Sequence, residues 1–553
     1  MYYALSVLVA AFAAHESVGL LCFLGIISGW CSYRGFQKIH VVAVIAVGLL
    51  TFSYFSWQLT KQKQPFTLPV TMTFTDTYKI NGSTLRGLMK DDEGRVVYIV
   101  YTFQSEQEKS AYERLPLACN MFYVEGVLEA PSEPAHKYHF YMGDYLKSKG
   151  AIGILNVTQL RHIGRENSVL QRIYEQRFLL SEHIHKVFPS SLAAEAEALI
   201  IGIQDQVDAD INRAYQKLGI THLFAISGLH VALISWMFFQ GLLRLRVRRE
   251  FATIVLIVIL PIYALLAGGA PSVWRAVSVV EFVMLARYFN WRVPIDDALA
   301  ISFIVFVLLQ PGAVYQVGFQ LSYLATVSLI YSGPILAKAR TWWMQGFLMT
   351  FVCQLLTYPI LLLHFYELSL SSFLANVIFV PLFSFVILPI NIVLLLISFI
   401  PGPFANYLFA LYEPARTFLT EVILFLQSVP YQMWVPGKPS AVWMIVLYVS
   451  VFTTLVLLTK GTRYWKIAVV ILTPALLLQL SHYVQRDATI TFINVGQGDC
   501  ILIELPHRQG VYMIDTGGLL RFQQEAWKER HNVYEVGTQI VVPYLKGKGI
   551  ASL

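Results

Sequence analysis

Long apolar runs separated by short polar loops dominate the chain. Stretches long enough, or nearly long enough, to cross a bilayer recur at 18–32, 41–57, 223–243, 251–268, 273–285, 298–309, 317–332, 347–365, 373–400, 404–427, 442–458 and 467–480. Several are short or interrupted by proline. Two stretches do not fit in lipid: 61–221, and everything after Arg486. Within 66–156 the period changes from helical to alternating, with LPVTMTFTDTY, VVYIVYTF, NMFYVEGVLEAP and AIGILNV divided by turns at NGS (81–83) and DDEG (91–94). The polar stretch 105–114 predicts one helix inside this set. Five strands and a helix in so short a span predict a small antiparallel barrel of oligonucleotide-binding type. The 170–220 segment is amphipathic with helical period and ends at Gly219.

Composition agrees with a membrane protein. The 553 residues are 56% hydrophobic and 14% charged, with a mean hydropathy of +0.57. The net charge of +7 does not by itself indicate a nucleic-acid binder, because much of the excess sits in short loops. Between Lys61 and Leu170 the balance is 13 Lys and Arg against 12 Asp and Glu. Those loops set the orientation instead. Arg34 and Lys38, RLRVRR at 244–249, Lys338 with Arg340, and Lys460, Arg463 and Lys466 predict cytoplasmic turns, placing 61–221 and the C-terminal module outside. Of the five cysteines only Cys119 lies in the first polar module, so no disulfide closes within it. No basic stretch precedes the apolar run from Ala4 to Ala14, which predicts an anchor rather than a cleaved signal.

Barrels of this kind bind single strands by stacking bases on aromatic rings beside basic groups. Tyr98, Tyr101, Tyr123, Tyr138, Phe140 and Tyr141, with Lys137, Lys147 and Lys149, are the candidates; the competing reading makes alternating aromatics core.

Polar groups inside the apolar runs are costly unless they face protein or water. THLFAISGLHVALI (221–234) carries Ser227, Gly228 and His230. AGGAPSVWRA (267–276) carries Gly268, Gly269, Pro271, Ser272 and Arg275; QVGFQLSYLAT (316–326) carries Gln320 and Ser322; CQLLTYP (353–359) carries Gln354. Glycine and proline at membrane depth break helices, and such breaks line cavities. Close helix packing accounts equally for Ser227 with Gly228. Arg275 stands out, since it falls on the outer side, against the positive-inside bias. Ser227 and His230 as nucleophile and base would make an intramembrane enzyme, but no acidic residue lies close in sequence. A small-solute transporter, which also builds its site from broken helices, is the other reading left open.

LFAISGLHVALI, GGAPSVWRA and VGFQLSYLAT, with FYMGDYLKSKG, resemble the signature segments of the ComEC-type competence membrane channels, which bring transforming DNA into bacteria as a single strand. The resemblance implies a polytopic α-helical membrane protein with an extracytoplasmic OB-like β-barrel and an incomplete α/β metallo-β-lactamase-like C-terminal segment. The expected division is an N-terminal anchor (1–60), the OB-like domain (61–165), amphipathic connecting helices (166–221), the channel domain (222–486) and the partial metallo-β-lactamase-like domain (487–553). It implies that Ser227, Gly228, His230, Gly268, Gly269, Pro271, Ser272, Arg275, Gln320, Ser322 and Gln354 line a DNA path, with Arg275 touching phosphate. In TITFINVGQGDCILIELPHRQGVYMIDTGG (489–518) the turns holding Asp499 and Asp515 match the first strands of that domain, Asp515 being the possible but incomplete metal position. The family's later His/Asp cluster is not found before the chain stops. His507 and His531 stand alone, so no hydrolase activity and no cofactor are expected of this chain, with Zn or Mn expected in a full-length relative. Implied partners are single-stranded DNA derived from double-stranded DNA, the membrane, an outer DNA receptor and, because no Walker-type loop is present, a cytosolic ATP-driven translocase.

Overall fold

A computed structural model describes residues 1–62, 66–205, 207–518, 525–530 and 534–553. The chain divides into two units. One comprises 1–131, 142–205 and 225–320; the other comprises 132–141, 206–224 and 321–553.

In the first unit the strands are β1 (Val70–Asn81), β2 (Thr84–Asp91), β3 (Val96–Thr102), β4 (Asn120–Glu129) and β5 (Ala151–Arg165). They close into a barrel in the order β1-β2-β3-β5-β4. Alternation produces it: Phe122 and Val124 are fully buried while Tyr123 between them is not, and Val97, Ile99 and Tyr101 point inward from β3. The expected barrel is present, with one difference: β3 and β5 run parallel. A parallel pair needs a long crossover, supplied here by Glu106–Glu113, β4 and the Met142–Lys149 helix. A bulge in β1 between Phe74 and Tyr78 breaks its register with β2.

Seven helices are long and apolar enough to cross a membrane among the described residues: Lys38–Lys61, Thr221–Arg244, Arg249–Leu266, Trp342–Phe365, Ser372–Ser398, Ala441–Thr459 and Tyr464–Val484. The chain is a multi-pass membrane protein. The twelve apolar runs overcount this set. Tyr2–His15, Val18–Tyr33 and Val317–Tyr331 are apolar but short. Pro271–Tyr288 carries Arg275, Glu281 and Arg287, Ile295–Leu309 has 15 residues, and Phe404–Gln427 carries Glu413, Arg416 and Glu421. In the second unit, Ser372–Ser398 contains a π-helical turn at Phe383–Ile387, the irregularity that proline brings to so apolar a helix. The C-terminal strands Thr489–Phe492, Ile501–Glu504 and Val511–Ile514 form an antiparallel sheet whose core includes Val495, Leu502, Val541 and Tyr544.

Candidate functional site

Two broken helix ends meet in the first unit. The Arg249–Leu266 helix ends in a Schellman turn: Gly269 N–H donates to the Ala264 carbonyl at 2.9 Å, with Gly268 in the left-handed region at φ +80°. Pro271 then starts the Pro271–Tyr288 helix, where its missing N–H costs nothing. Opposite, Ser227 caps the Gly228–Arg244 helix. Its hydroxyl accepts from His230 N–H at 3.4 Å, and its own N–H donates to His230 Nδ1 at 3.3 Å. The ends are tied by Ser272 Oγ, which donates to the Ile226 carbonyl at 3.0 Å. The Arg275 guanidinium points its Nη2 end at Gly228: a Cβ there would stand 2.6 Å from Nη2 and 3.7 Å from Cζ. The space at 228 is therefore limited by a neighbour, not by the backbone's own conformation. Ile226, Val231, Val273, Ala276 and Val277 form the apolar cluster behind this join.

The geometry corrects the enzyme reading. His230 is fully buried and its Nδ1 is engaged by the Ser227 backbone, so the pair is a reciprocal helix cap rather than a base aimed at a nucleophile. Of the candidate lining residues, Ser227, Gly228, His230, Ser272 and Arg275 come together, with Gly268, Gly269 and Pro271 forming the turn that leads in. Gln320 Nε2 donates to the Val314 carbonyl at 2.8 Å. Ser322 and Gln354 belong to the second unit, where the Ser322 carbonyl accepts from Thr326 Oγ1 and Gln354 Nε2 donates to Ser372 Oγ at 3.0 Å. The same unit holds a cation that the sequence reading passed over. Arg416, 7% exposed, donates to Tyr215 Oη at 3.0 Å and Thr420 Oγ1 at 2.8 Å. Its partner Tyr215 is 201 residues away, and no local pattern announces it.

The candidate DNA contacts on the barrel do not share one face. Tyr101 is a core residue, 5% exposed, donating its hydroxyl to Glu108; burial pushes that phenol far above its usual value. It is unavailable for stacking. Tyr98 packs edge-on against Tyr145. Lys147 pairs with Glu16 at 2.5 Å and lies over the Tyr315 ring, so its charge is spent on a strut rather than on an open face. Burial lowers Lys149, partly offset by Asp76. Lys137, Tyr138, Phe140 and Tyr141 belong to the second unit. There Tyr138 packs on Tyr544, Tyr366 and Gly547, Lys137 lies 4.8 Å from the Tyr138 ring centre, and Phe140 is exposed. Tyr123 keeps an outward position. It pairs across strands with Thr71 and with exposed Arg161, and in the next row Met121 and Thr73 pair, with exposed Lys90 beyond Thr73. Arg161 and Lys90 were not singled out from sequence, although strand parity with Phe122 and Met89 places both outside.

At the C-terminal sheet, Asp499 precedes the Ile501–Glu504 strand and Asp515 follows the next, Val511–Ile514, at the same end. Gly498 packs on Gly517, with a Cβ at 498 falling 3.2 Å from Gly517 Cα. Asp515 Oδ1 accepts from the Thr516 and Gly517 N–H groups at 2.6 and 3.1 Å, and Asp499 is exposed. That carboxylate is engaged in its own turn, and among the described residues no group of three His, Cys, Asp or Glu is placed to hold a metal. The residues described here do not fit a metal centre. His531 lies outside the described residues.

Residues 199–461 match the family model described as Competence protein. The chain is 28% identical to ComE operon protein 3 of Bacillus subtilis over 479 residues, covering 86% of this chain and 61% of that one. Over 199–461 the chain is similar to the competence proteins. It is also 29% identical to Competence protein ComA of Neisseria gonorrhoeae, covering 58% of this chain and 46% of that relative. Against Recombination protein 2 of Haemophilus influenzae the identity is 31%, over 35% of this chain and 27% of the relative. The chain thus spans less than two thirds of these relatives' lengths. No solved structure matches it. The family match covers the Ser227, Arg275, Gln320, Ser322 and Gln354 segments and leaves the barrel outside.

Proposed function

We propose that the chain is a cell-membrane channel for transforming DNA, passing one strand of incoming double-stranded DNA into the cell during natural competence. The observation that carries this is the join of two broken helix ends inside a competence-family region, where Arg275 lies against Gly228 beside Ser272. A guanidinium offers a phosphate two donors in a fixed fork, and polar helix ends supply the hydrated surroundings a strand requires. The barrel is OB-like and extracytoplasmic in this reading, with Tyr123 stacking a base while Arg161 and Lys90 hold its phosphates. The Lys and Arg of the short loops support that orientation, and the domain limits in this reading fall at 60, 165, 221 and 486. The 487–553 segment is the start of a metallo-β-lactamase-like domain, supported by the two glycine turns at one end of its sheet. An outer DNA receptor and a cytosolic ATP-driven translocase are its partners, since transport needs capture and a motor. Nothing favours the small-solute transporter over this.

The test replaces the gene with an Arg275→Glu version in the competent host. Labelled DNA bound at the surface is expected to stay at the wild-type level while nuclease-protected DNA disappears. Normal transformation by a strain accumulating the variant would overturn the reading.

A further inference from the structure

The barrel and the Arg275 join lie in one unit, and a single side chain spans them. Arg177, on the Val169–Val187 helix, is 12% exposed. Its Nη1 stands 3.6 Å from Asp76 Oδ2, in the β1 bulge. Its Nε donates to the Ile201 carbonyl at 3.1 Å. Its guanidinium also rests on Gly268, where a Cβ would fall 2.5 Å from Nη2 and 3.1 Å from Cζ. The next residue after Ile201 closes the joint: Gly202, at φ +72°, lies so near the Ala267 carbonyl that a Cβ would stand 2.5 Å from its oxygen. β1 is fastened a second time by Lys79, 2.7 Å from Asp205. Three residues beyond Gly268 the Pro271–Tyr288 helix begins, carrying Ser272 and Arg275.

We propose that Arg177 is a positioning residue, the joint through which the outer barrel sets the Gly268–Gly269 turn and thereby the place of Ser272 and Arg275. The inference rests on the channel reading for its consequence, but not for its geometry. Three contacts at three angles need the planar fork of arginine; lysine keeps the charge and reaches one of them. Bulges are where a strand re-aims its side chains, and here the bulge aims Asp76 at the fork.

The experiment compares the full chain, purified in detergent micelles, as wild type, Arg177→Lys and Asp76→Asn, by amide hydrogen exchange, alongside DNA uptake in the host. Exchange in 264–276 is expected to quicken about tenfold in Arg177→Lys, the scale of one charged hydrogen bond, and less in Asp76→Asn. The β2 and β3 amides should be unchanged, which excludes general unfolding. Nuclease-protected DNA should fall in the same order while surface binding holds. Unchanged exchange at 264–276 overturns the joint whatever happens to uptake, as does quickened exchange with normal uptake in a background where Arg275→Glu abolishes it. If Arg275→Glu itself takes up DNA normally, the channel reading fails and the exchange data still judge the joint.

Discussion

Gly228→Ala isolates the Arg275 contact without removing any polar group. Gly228 has ordinary backbone angles, so an alanine fits the chain there. The added methyl would stand 2.6 Å from Arg275 Nη2, where ordinary contact begins at 3.4 Å, so the guanidinium must retreat by about 0.8 Å. The retreating atom ends a flexible side chain, and an off-rotamer arginine costs about 0.5–1.5 kcal/mol. Against this, alanine at the start of a helix recovers up to about 1 kcal/mol relative to glycine. The two nearly cancel, and the variant should accumulate normally. Transport should not be spared, because a charged hydrogen bond contributes about 1.5–3 kcal/mol, and a displaced fork forfeits most of it, roughly a 10- to 100-fold loss in uptake.

The discriminating measurement is a double-mutant cycle on nuclease-protected DNA. Arg275→Ala should match or exceed the loss in Gly228→Ala, and the double variant should be no worse than Arg275→Ala alone. Both changes then act through one guanidinium. Multiplicative losses would show that Gly228 matters for some other contact. Wild-type uptake by Gly228→Ala beside a dead Arg275→Ala would show that the position of the guanidinium on Gly228 is immaterial.

Two other outcomes follow from the same geometry. Tyr123→Ala and Arg161→Ala, in the full chain, should each weaken binding of a short single-stranded oligonucleotide; stacking contributes about 1–3 kcal/mol per base, a roughly 5- to 100-fold change, whereas Tyr101→Phe should alter thermal stability and leave binding intact. Fluorescence anisotropy reads the first and a melting curve the second, and equal affinity for all three variants would remove the platform. In the second unit, His136 Nδ1 accepts from Tyr138 N–H at 3.2 Å and its Nε2 bonds the Ile540 carbonyl at 2.9 Å, an arrangement that needs the neutral ring. Burial holds His136 and His139 below the ordinary imidazole value of 6.5. A depressed folded-state value means the stabilisation is complete above 6.5 and is lost as pH falls through the lower, folded value, so exchange at 132–141 and 536–550 should quicken on acidification. His136→Gln should flatten that dependence, and a pH-independent wild type would refute it.

What could be read in the sequence depended on how far each residue's partner lies. The strands of the barrel were legible because alternation is local, and the helical insert because its polar run is contiguous. Lys147 was misjudged for the opposite reason: its partner Glu16 lies 131 residues away, at the end of the first apolar helix. Tyr101 and Tyr123 look alike as aromatic residues on strands, and only parity with their buried neighbours separates core from surface. Arg161 and Lys90 could have been found by that same parity. Arg416 and Arg177 could not, since their partners Tyr215, Asp76 and Gly268 are brought to them only by the fold.

The glycines make the same distinction from the other side. Gly268 and Gly269 were legible as helix breakers, and both adopt positive φ where a β-carbon is strained. Gly228 looked like a small residue for helix packing, and its ordinary backbone supports no conformational need. What occupies the missing side chain's space is a guanidinium, not a second helix backbone. A close-packing role predicts that larger residues at 228 separate helices and destabilise the protein in proportion to their volume. A cation's seat predicts that alanine already suffices to impair transport while stability scarcely changes. The dependence on side-chain size at this one position therefore separates a packing contact from part of a charged path through the membrane.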